Sequence, residues 1–196
     1  MFFNKLNINS IKHESIESES TEKNIQQKYL KAVRQNGYAL KDILLQTSKI
    51  CLETVRQNGD ALQYVLVQTP EICIEAVRQN GDALKYVLLQ TPEICLEAVR
   101  QTGYALQYVL SQTPEMCLEA VRRDCNALFY VKEQTPEMCF EAIKQNGAML
   151  RHVLSQTPEI CLEAVRYDWF TLQYVKTKHQ RYVLKLLDKT DMHYVI

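Results

Sequence analysis

Six of the seven cysteines recur at a constant spacing of 22 residues, and thiols can bind metals or carry redox chemistry. If each lies in one layer of a stack, neighbours are about 8 to 10 Å apart, too far for a disulfide or a shared zinc ion. We therefore interpret them as small apolar packing residues and expect no metal and no cofactor. Cys125 lies at a turn and is expected to be the most accessible thiol. The six are Cys51, Cys73, Cys95, Cys117, Cys139 and Cys161.

Acidic and basic side chains also recur, three residues apart in each of the six copies that carry one of these cysteines, as in Glu75 and Arg78. This spacing favours i, i+3 ion pairs on a solvent-exposed helix face over a catalytic acid and base. The histidines are scattered without ligand spacing, and neither a Ser-His-Asp set nor a Gly-rich phosphate loop is present. We expect a protein that is not an enzyme; a degenerate enzyme or toxin subunit that borrows catalytic groups from a partner stays an alternative.

The sequence around the cysteines repeats with them, and this repeat defines the structural elements that position their side chains. Six clear copies span residues 29–160, and a degenerate seventh follows. The Thr-Pro-Glu triplets supply an N-cap, a fixed first residue and a favourable charge, so each predicts a helix start. The Asn-Gly pairs end that helix with a residue able to take a positive φ. A second short helix follows, whose apolar positions recur with a helical period.

Helices of about ten residues are marginal alone in water, so neighbouring copies must stack. The fold class predicted is all-α, an α-solenoid of stacked short helix-turn-helix hairpins with a 22-residue repeat. Residues 1–20 are expected to be disordered, residues 21–178 to form the solenoid with a first helix from about Thr21, and residues 179–196 to form a capping helix and tail. Where Cys125 and Trp169 replace glycine, either Asp124 and Asp168 take over the turn, which we prefer, or the hairpin closes differently.

Charge and hydropathy exclude several classes of function. The chain carries 23 basic and 23 acidic residues, so no strong field attracts nucleic acid or an acidic membrane. Its apolar runs are far shorter than a membrane span, and the first residues lack the pattern of a signal peptide. We expect no membrane association, and a soluble cytoplasmic protein, which also suits regular free thiols.

The second helices carry the positions that vary most between copies. The first, fourth and eighth residues vary, and the slot after the fourth is mostly tyrosine; we expect these slots to share one face, the variable face. Aromatic and polar groups at regular intervals on a rigid ladder predict a binding surface, although the tyrosines could instead wedge between hairpins. The partner-binding residues predicted are Tyr38, Lys41, Gln63, Tyr64, Lys85, Tyr86, Tyr104, Gln107, Tyr108, Phe129, Tyr130, Arg151 and His152.

The pattern Cys-x-x-Ala-Val, Asn-Gly-x-Ala-Leu-x-Tyr-Val and Gln-Thr-Pro-Glu-Ile resembles a family of short tandem helical repeats of unknown function. Such repeats are seen in amoeba-infecting giant viruses and in some bacteria. The resemblance covers residues 29 to about 176. It implies a viral or bacterial source, and the host-cell cytoplasm if viral, and it supplies no known catalytic residues. The lost glycines at Cys125 and Trp169 depart from the pattern.

Two functions fit these observations. The first is a protein-protein interaction scaffold that holds a segment of an unknown partner protein against the variable face. The second is single-stranded RNA binding, with one base read by each repeat. Residues 29–160 hold 13 basic and 15 acidic side chains, which disfavours RNA because phosphate neutralisation supplies much of its affinity.

Overall fold

The computed structural model describes the backbone of residues 8–188 and the side chains of residues 21–188, and every regular element in that part is helical. Each repeat pairs an α-helix with a six-residue 3-10 helix, and each unit packs on the next. The predicted all-α solenoid of 22-residue repeats is confirmed. The elements are α1 (Ile8–Gln35), η1 (Gly37–Asp42), α2 (Ser48–Gln57), η2 (Gly59–Tyr64), α3 (Pro70–Gln79), η3 (Gly81–Tyr86), α4 (Pro92–Gln101), η4 (Gly103–Tyr108), α5 (Pro114–Arg123), η5 (Cys125–Tyr130), α6 (Pro136–Gln145), η6 (Gly147–His152), α7 (Pro158–Tyr167), η7 (Trp169–Tyr174) and α8 (Thr177–Asp188).

The α-helices begin where the threonines predict. Thr69 has an extended backbone, its hydroxyl oxygen accepts from the Ile72 N–H, and Pro70 is the first helical residue. The other Thr-Pro-Glu triplets behave in the same way. Thr47 caps α2 although Ser48 stands in the proline position, so the hydroxyl cap is sufficient without proline.

The second element of each unit is a 3-10 helix, which corrects the predicted α-helix. In η3 the Ala83 N–H bonds to the Asn80 carbonyl and the Val87 N–H to the Leu84 carbonyl, both three residues back. Asn80 also accepts from the Asp82 N–H through its side chain and thereby fixes the first turn. Six residues complete few i to i+4 bonds, so the tighter helix satisfies more of the backbone.

Three residues per turn give each 3-10 helix three distinct sides. In η3, Gly81 and Leu84 are buried on one side, and Ala83 is buried above the half-buried Tyr86 on a second. The third side carries the variable first and fourth positions. This corrects the expected grouping: the eighth position, predicted to share that face, lies beyond the helix in the following loop.

The glycines serve close packing, which corrects the positive φ expected of them. None of the five has a φ in the left-handed region. A Cβ on Gly59 would lie 2.5 Å from the carbonyl oxygen of Ala76, and one on Gly81 2.7 Å from that of Ala98. Glycine therefore lets the α-helix of the following unit approach the 3-10 helix.

Aspartate replaces asparagine where the glycine is lost. Asp124 accepts from the Asn126 N–H at 2.8 Å, and Asp168 accepts from the Phe170 N–H at 2.9 Å. Both have the extended backbone of the asparagines at the other turns. The preferred interpretation, that these aspartates take over the turn, is confirmed.

The ends differ partly from expectation. Helix α1 begins at Ile8 and not near Thr21, so residues 8–20 of the segment expected to be disordered are helical. The physical reason is that no proline or glycine interrupts the chain before Gly37, so a helix once formed extends at little cost. Residues 1–7 and the predicted tail at 189–196 lie outside the described residues. Helix α8 packs on α7 through the buried Val183 and Leu187.

The hydrophobic core is one column of recurring side chains along the stack. Each of the helices η1 to η6 contributes a fully buried leucine, such as Leu62, and each of α2 to α7 contributes a buried isoleucine or methionine, such as Ile72. None of the helices between residues 8 and 188 is both long and apolar enough to cross a bilayer.

Candidate interaction surface

The six regularly spaced cysteines are packing residues, as predicted. All six are free and buried, and each thiol donates a weak hydrogen bond to a glutamine, as Cys95 does to Gln90 at 3.4 Å. Burial raises the pKa of these thiols, that of Cys161 to about 11, so they stay protonated near neutral pH. Cys125 is the one half-exposed thiol between residues 8 and 188; burial and the Asp124 carboxylate raise its pKa as well.

Among the described residues, no arrangement of side chains supports chemistry at a metal centre or at a nucleophile. No group of three or more His, Cys, Asp or Glu side chains there is arranged to hold a metal ion. The pKa of His152 is lowered by burial and by the neighbouring Arg151, so the imidazole is neutral and its Nε2 accepts from the Arg151 Nε at 2.9 Å.

The glutamate and arginine ladders join neighbouring α-helices. Arg56 binds Glu75 at 2.8 Å, and Arg78 binds Glu97 at 2.8 Å, each pair spanning two units. The predicted i, i+3 pairs also occur, at a longer 3.6 Å, between Glu75 and Arg78 and between Glu163 and Arg166. The ladder is a structural feature of a solvent-exposed face, and the shorter contacts are the ones that spacing along one helix did not predict.

A ladder of glutamines inside the stack was missed by sequence reasoning. Gln90 donates from Nε2 to the Tyr108 carbonyl at 2.9 Å, and its Oε1 accepts from the Leu110 N–H at 3.1 Å. The only signal was the invariable Gln before each Thr. Each glutamine thus holds the loop that follows the next 3-10 helix. The ladder comprises Gln46, Gln68, Gln90, Gln112, Gln134 and Gln156.

The structure divides the predicted partner-binding residues into two groups. Those in the first and fourth positions are exposed: Tyr38, Lys41, Gln63, Lys85, Tyr104, Gln107, Phe129 and Arg151. The remaining ones are half-buried, and the tyrosines among them pack against the core: Tyr64, Tyr86, Tyr108, Tyr130 and His152. The tyrosine slot therefore also wedges between the units, which was the alternative interpretation.

Aromatic contacts connect the variable face from one unit to the next. Tyr104 meets Tyr130 edge to face with ring centroids 6.2 Å apart, and Phe129 meets His152 in the same way at 5.6 Å. Phe129 also contacts Tyr130 of its own helix at 5.3 Å. Such pairs hold an exposed ring in one orientation, so this part of the face presents a fixed aromatic cluster.

Charges on the variable face are mixed and locally paired. Lys85 Nζ lies 4.8 Å from the ring centroid of Tyr86 and 3.8 Å from an oxygen of Asp60. Asp60 also accepts from the Asn80 amide at 3.2 Å. An acidic group of one unit therefore lies beside a basic group of the next, and the Lys85 charge is shared with an acidic neighbour.

A second surface, which we call the loop stripe, lies in the loops after the 3-10 helices. Its apolar side chains are 63% to 88% exposed. Clefts separate the loops: one of about 190 Å³ is lined by Leu44 and Leu66, and one of about 470 Å³ by Leu110 and Lys132. Sequence reasoning included only Leu45, Val67 and Leu89, as variable positions. The loop stripe comprises Leu44, Leu45, Leu66, Val67, Leu88, Leu89 and Leu110.

Comparison with known proteins identifies the repeat type only. Three overlapping segments, residues 47–90, 69–112 and 91–135, match a family described as a domain of unknown function, DUF4116. The matches lie in tandem, as the 22-residue period requires. No curated protein and no solved structure matches the chain.

Proposed function

We propose that the chain is a non-catalytic protein-protein interaction scaffold, which binds a segment of a partner protein through the variable face. One observation carries the proposal: the variable fourth position is exposed in all seven 3-10 helices, and the exposed rings of Tyr38, Tyr104 and Phe129 lie along the same stack. Helical-repeat proteins use extended surfaces of this kind, because each unit adds a similar contact site at a regular interval.

Rigidity of the face supports a binding role. Each 3-10 helix is held by the glutamine ladder, and the ring contacts around Phe129 and Tyr104 fix their orientation before any partner arrives. Side chains that are already ordered lose less entropy on binding, so more of the contact energy appears as affinity. Tyrosine and arginine are also the residues that most often dominate the energy of protein interfaces.

The chemistry of the face favours a partner segment with mixed polarity. Tyr38, Tyr104 and Phe129 offer apolar surface, while Gln63 and Gln107 offer amide donors and acceptors. A peptide segment with apolar side chains and free backbone hydrogen-bonding groups complements this set.

Single-stranded RNA is the second candidate, because aromatic and cationic side chains recur along the face and each unit could contact one base. The electrostatics of the face are unfavourable for RNA, because Asp60 and Asp82 occupy the first variable position in η2 and η3, and Asp60 lies beside Lys85. The phosphate backbone of RNA binds most strongly to protein surfaces of net positive charge. We therefore rank protein binding above RNA binding.

The site of action that we propose is the cytoplasm, of the host cell if the source is a virus. All seven cysteines are free and six of them are buried, which suits a reducing compartment. The viral or bacterial source itself rests on the resemblance of the repeat.

Affinity capture from a cell lysate, with and without nuclease, tests the proposal. The variant is Phe129→Ala, since this ring is 66% exposed on the variable face; the matched control is Leu154→Ala, which is 64% exposed in a loop. We expect one protein that survives nuclease, is retained by the control and is lost by Phe129→Ala. Recovery of RNA, or of proteins only when RNA is intact, would replace this proposal with the RNA-binding one.

A further inference from the structure

The loop stripe is an exposed apolar surface that the proposed function does not use. Its members occupy equivalent positions in four successive units, two in each of the first three and Leu110 in the fourth. Isolated exposed leucines are ordinary, but contiguous ones over several units mark an interaction surface.

The stripe ends at a charged boundary. The equivalent positions of the next unit are Lys132 and Glu133, and Lys132 Nζ bonds to the Leu110 carbonyl at 3.3 Å. In the following units a polar residue replaces at least one apolar side chain, as at Ser155 and Lys176. The apolar surface therefore covers the first four units and has a defined length.

We propose that the loop stripe is the interface of a homodimer, in which a second copy of this chain covers it in an antiparallel arrangement about a two-fold axis. The axis lies between the second and third units, so that the Leu66 loop of one copy meets the Leu88 loop of the other. Such an interface buries the same patch on both copies, as in most soluble homo-oligomers.

Matched spacing is the first argument for a second copy. The loops form ridges and the spaces between them form clefts, and both recur once in every 22 residues. Because two copies have the same period, each loop of one copy meets a loop of the other over all four units without further adjustment. A partner of another fold would need to reproduce that spacing independently.

Area is the second argument. One Leu or Val side chain offers roughly 100 Å² of apolar surface, so the exposed fractions of the stripe give on the order of 500 Å² per copy. Two copies therefore bury about 1,000 Å² of stripe alone, close to the lower limit of specific interfaces. The cleft walls, which include Ser48 and Thr69, add to that area on both sides.

The oligomeric state of the full chain, measured by light scattering and sedimentation, tests the proposal. The variant Leu88→Glu with Leu89→Glu places two charges near the axis, and both side chains are at least 78% exposed, so the fold is unaffected. The matched control carries Leu154→Glu and Ser155→Glu, the equivalent positions three units later. Circular dichroism verifies that both variants are folded.

We expect the wild type and the control to be dimers, and the Leu88 and Leu89 variant to be monomeric, with a dissociation constant raised at least 100-fold. Two results would overturn the proposal: a wild-type chain that is monomeric at about 100 μM, or a dimer that the variant leaves intact. In the first case a heterologous protein or a lipid surface covers the stripe.

Cross-linking tests the antiparallel register. In a Cys125→Ala background, which removes the half-exposed thiol, one chain carries Val67→Cys and the other Leu89→Cys. Bifunctional maleimide is expected to link residue 67 of one copy to residue 89 of the other. Links between two copies of residue 67 alone would contradict the antiparallel arrangement.

Discussion

Gln68 and Tyr86 lie 18 residues apart in the chain, and the Gln68 Nε2 donates to the Tyr86 carbonyl oxygen at 2.8 Å. The same side chain accepts from the Leu88 N–H at 3.0 Å through its Oε1. One amide thus pairs both backbone groups that flank Val87, at the end of a 3-10 helix in the next unit. The exposed leucines of the loop stripe are held in place from inside the stack by this ladder.

Replacing Gln68 by alanine is expected to lower the free energy of unfolding by about 1 to 3 kcal/mol, because the Tyr86 carbonyl and the Leu88 N–H lose their partner. Urea denaturation followed by circular dichroism measures the change. The control is Gln63→Ala, whose amide bonds only to the Asp60 carbonyl of its own helix on the exposed face. Equal losses of unfolding free energy in the two variants would show that the glutamine ladder stabilises the fold no more than an exposed glutamine does.

Gly59→Ala is expected to destabilise the fold by about 1 to 3 kcal/mol, because its Cβ would lie 2.5 Å from the Ala76 carbonyl oxygen. Gly37→Ala is a matched control, since the nearest atom there is the Asn58 Cβ at 3.3 Å. Thermal unfolding compares the two. A smaller loss for Gly59 than for Gly37 would contradict the close-packing role of the glycine.

Arg78→Ala is expected to lower the free energy of unfolding only slightly, although Arg78 bridges Glu97 and Glu75, because its side chain is 55% exposed and its charge is screened by solvent. The loss of stability should be smaller still near 1 M salt, because charges more than about 3 Å apart are then largely screened from each other. Denaturation at low and high salt gives both values. A loss that salt does not change would indicate that the packing of the arginine stem matters more than its charge.

Thiol reactivity should separate Cys125 from the other cysteines. At pH 8 we expect Ellman's reagent to modify Cys125 rapidly and the six buried thiols only on unfolding, because Cys125 alone is half-exposed. The Cys125→Ala variant should lose the fast phase. A fast phase that persists in this variant would mean that a buried thiol becomes accessible by local opening.

Stability should fall at alkaline pH partly through Cys161. Its pKa is raised by burial from 9.0 to about 11, so the folded state keeps a proton that the unfolded chain releases first. The contribution is complete below about pH 9 and is lost as the pH rises toward 11. Denaturation across this range should show a shallower decline for Cys161→Ala than for the wild type. An identical decline in both would show that Cys161 does not contribute.

Local signals in the sequence were sufficient for the architecture. The Thr-Pro-Glu caps, the Asp124 and Asp168 turns and the 22-residue period act between residues close in the chain, and each is found in the structure as predicted. The burial of the cysteines followed from their size and spacing. The variable positions Tyr38, Tyr104 and Phe129 are exposed in the structure, and their role in binding stays a prediction.

Tertiary structure decided what depends on the neighbouring unit. The carbonyl of Tyr86 finds its partner in Gln68, which belongs to the preceding unit, so no local pattern distinguishes this arrangement from an α-helix. Gly59 is required by the approach of Ala76 and not by its own dihedral angles. Leu88 recurs as an apolar position together with Leu84 and Val87, yet the stack buries Leu84 and Val87 and leaves Leu88 exposed. Hydropathy ranks side chains by their preference for burial, whereas the stacking of the units determines which of them a neighbouring unit covers.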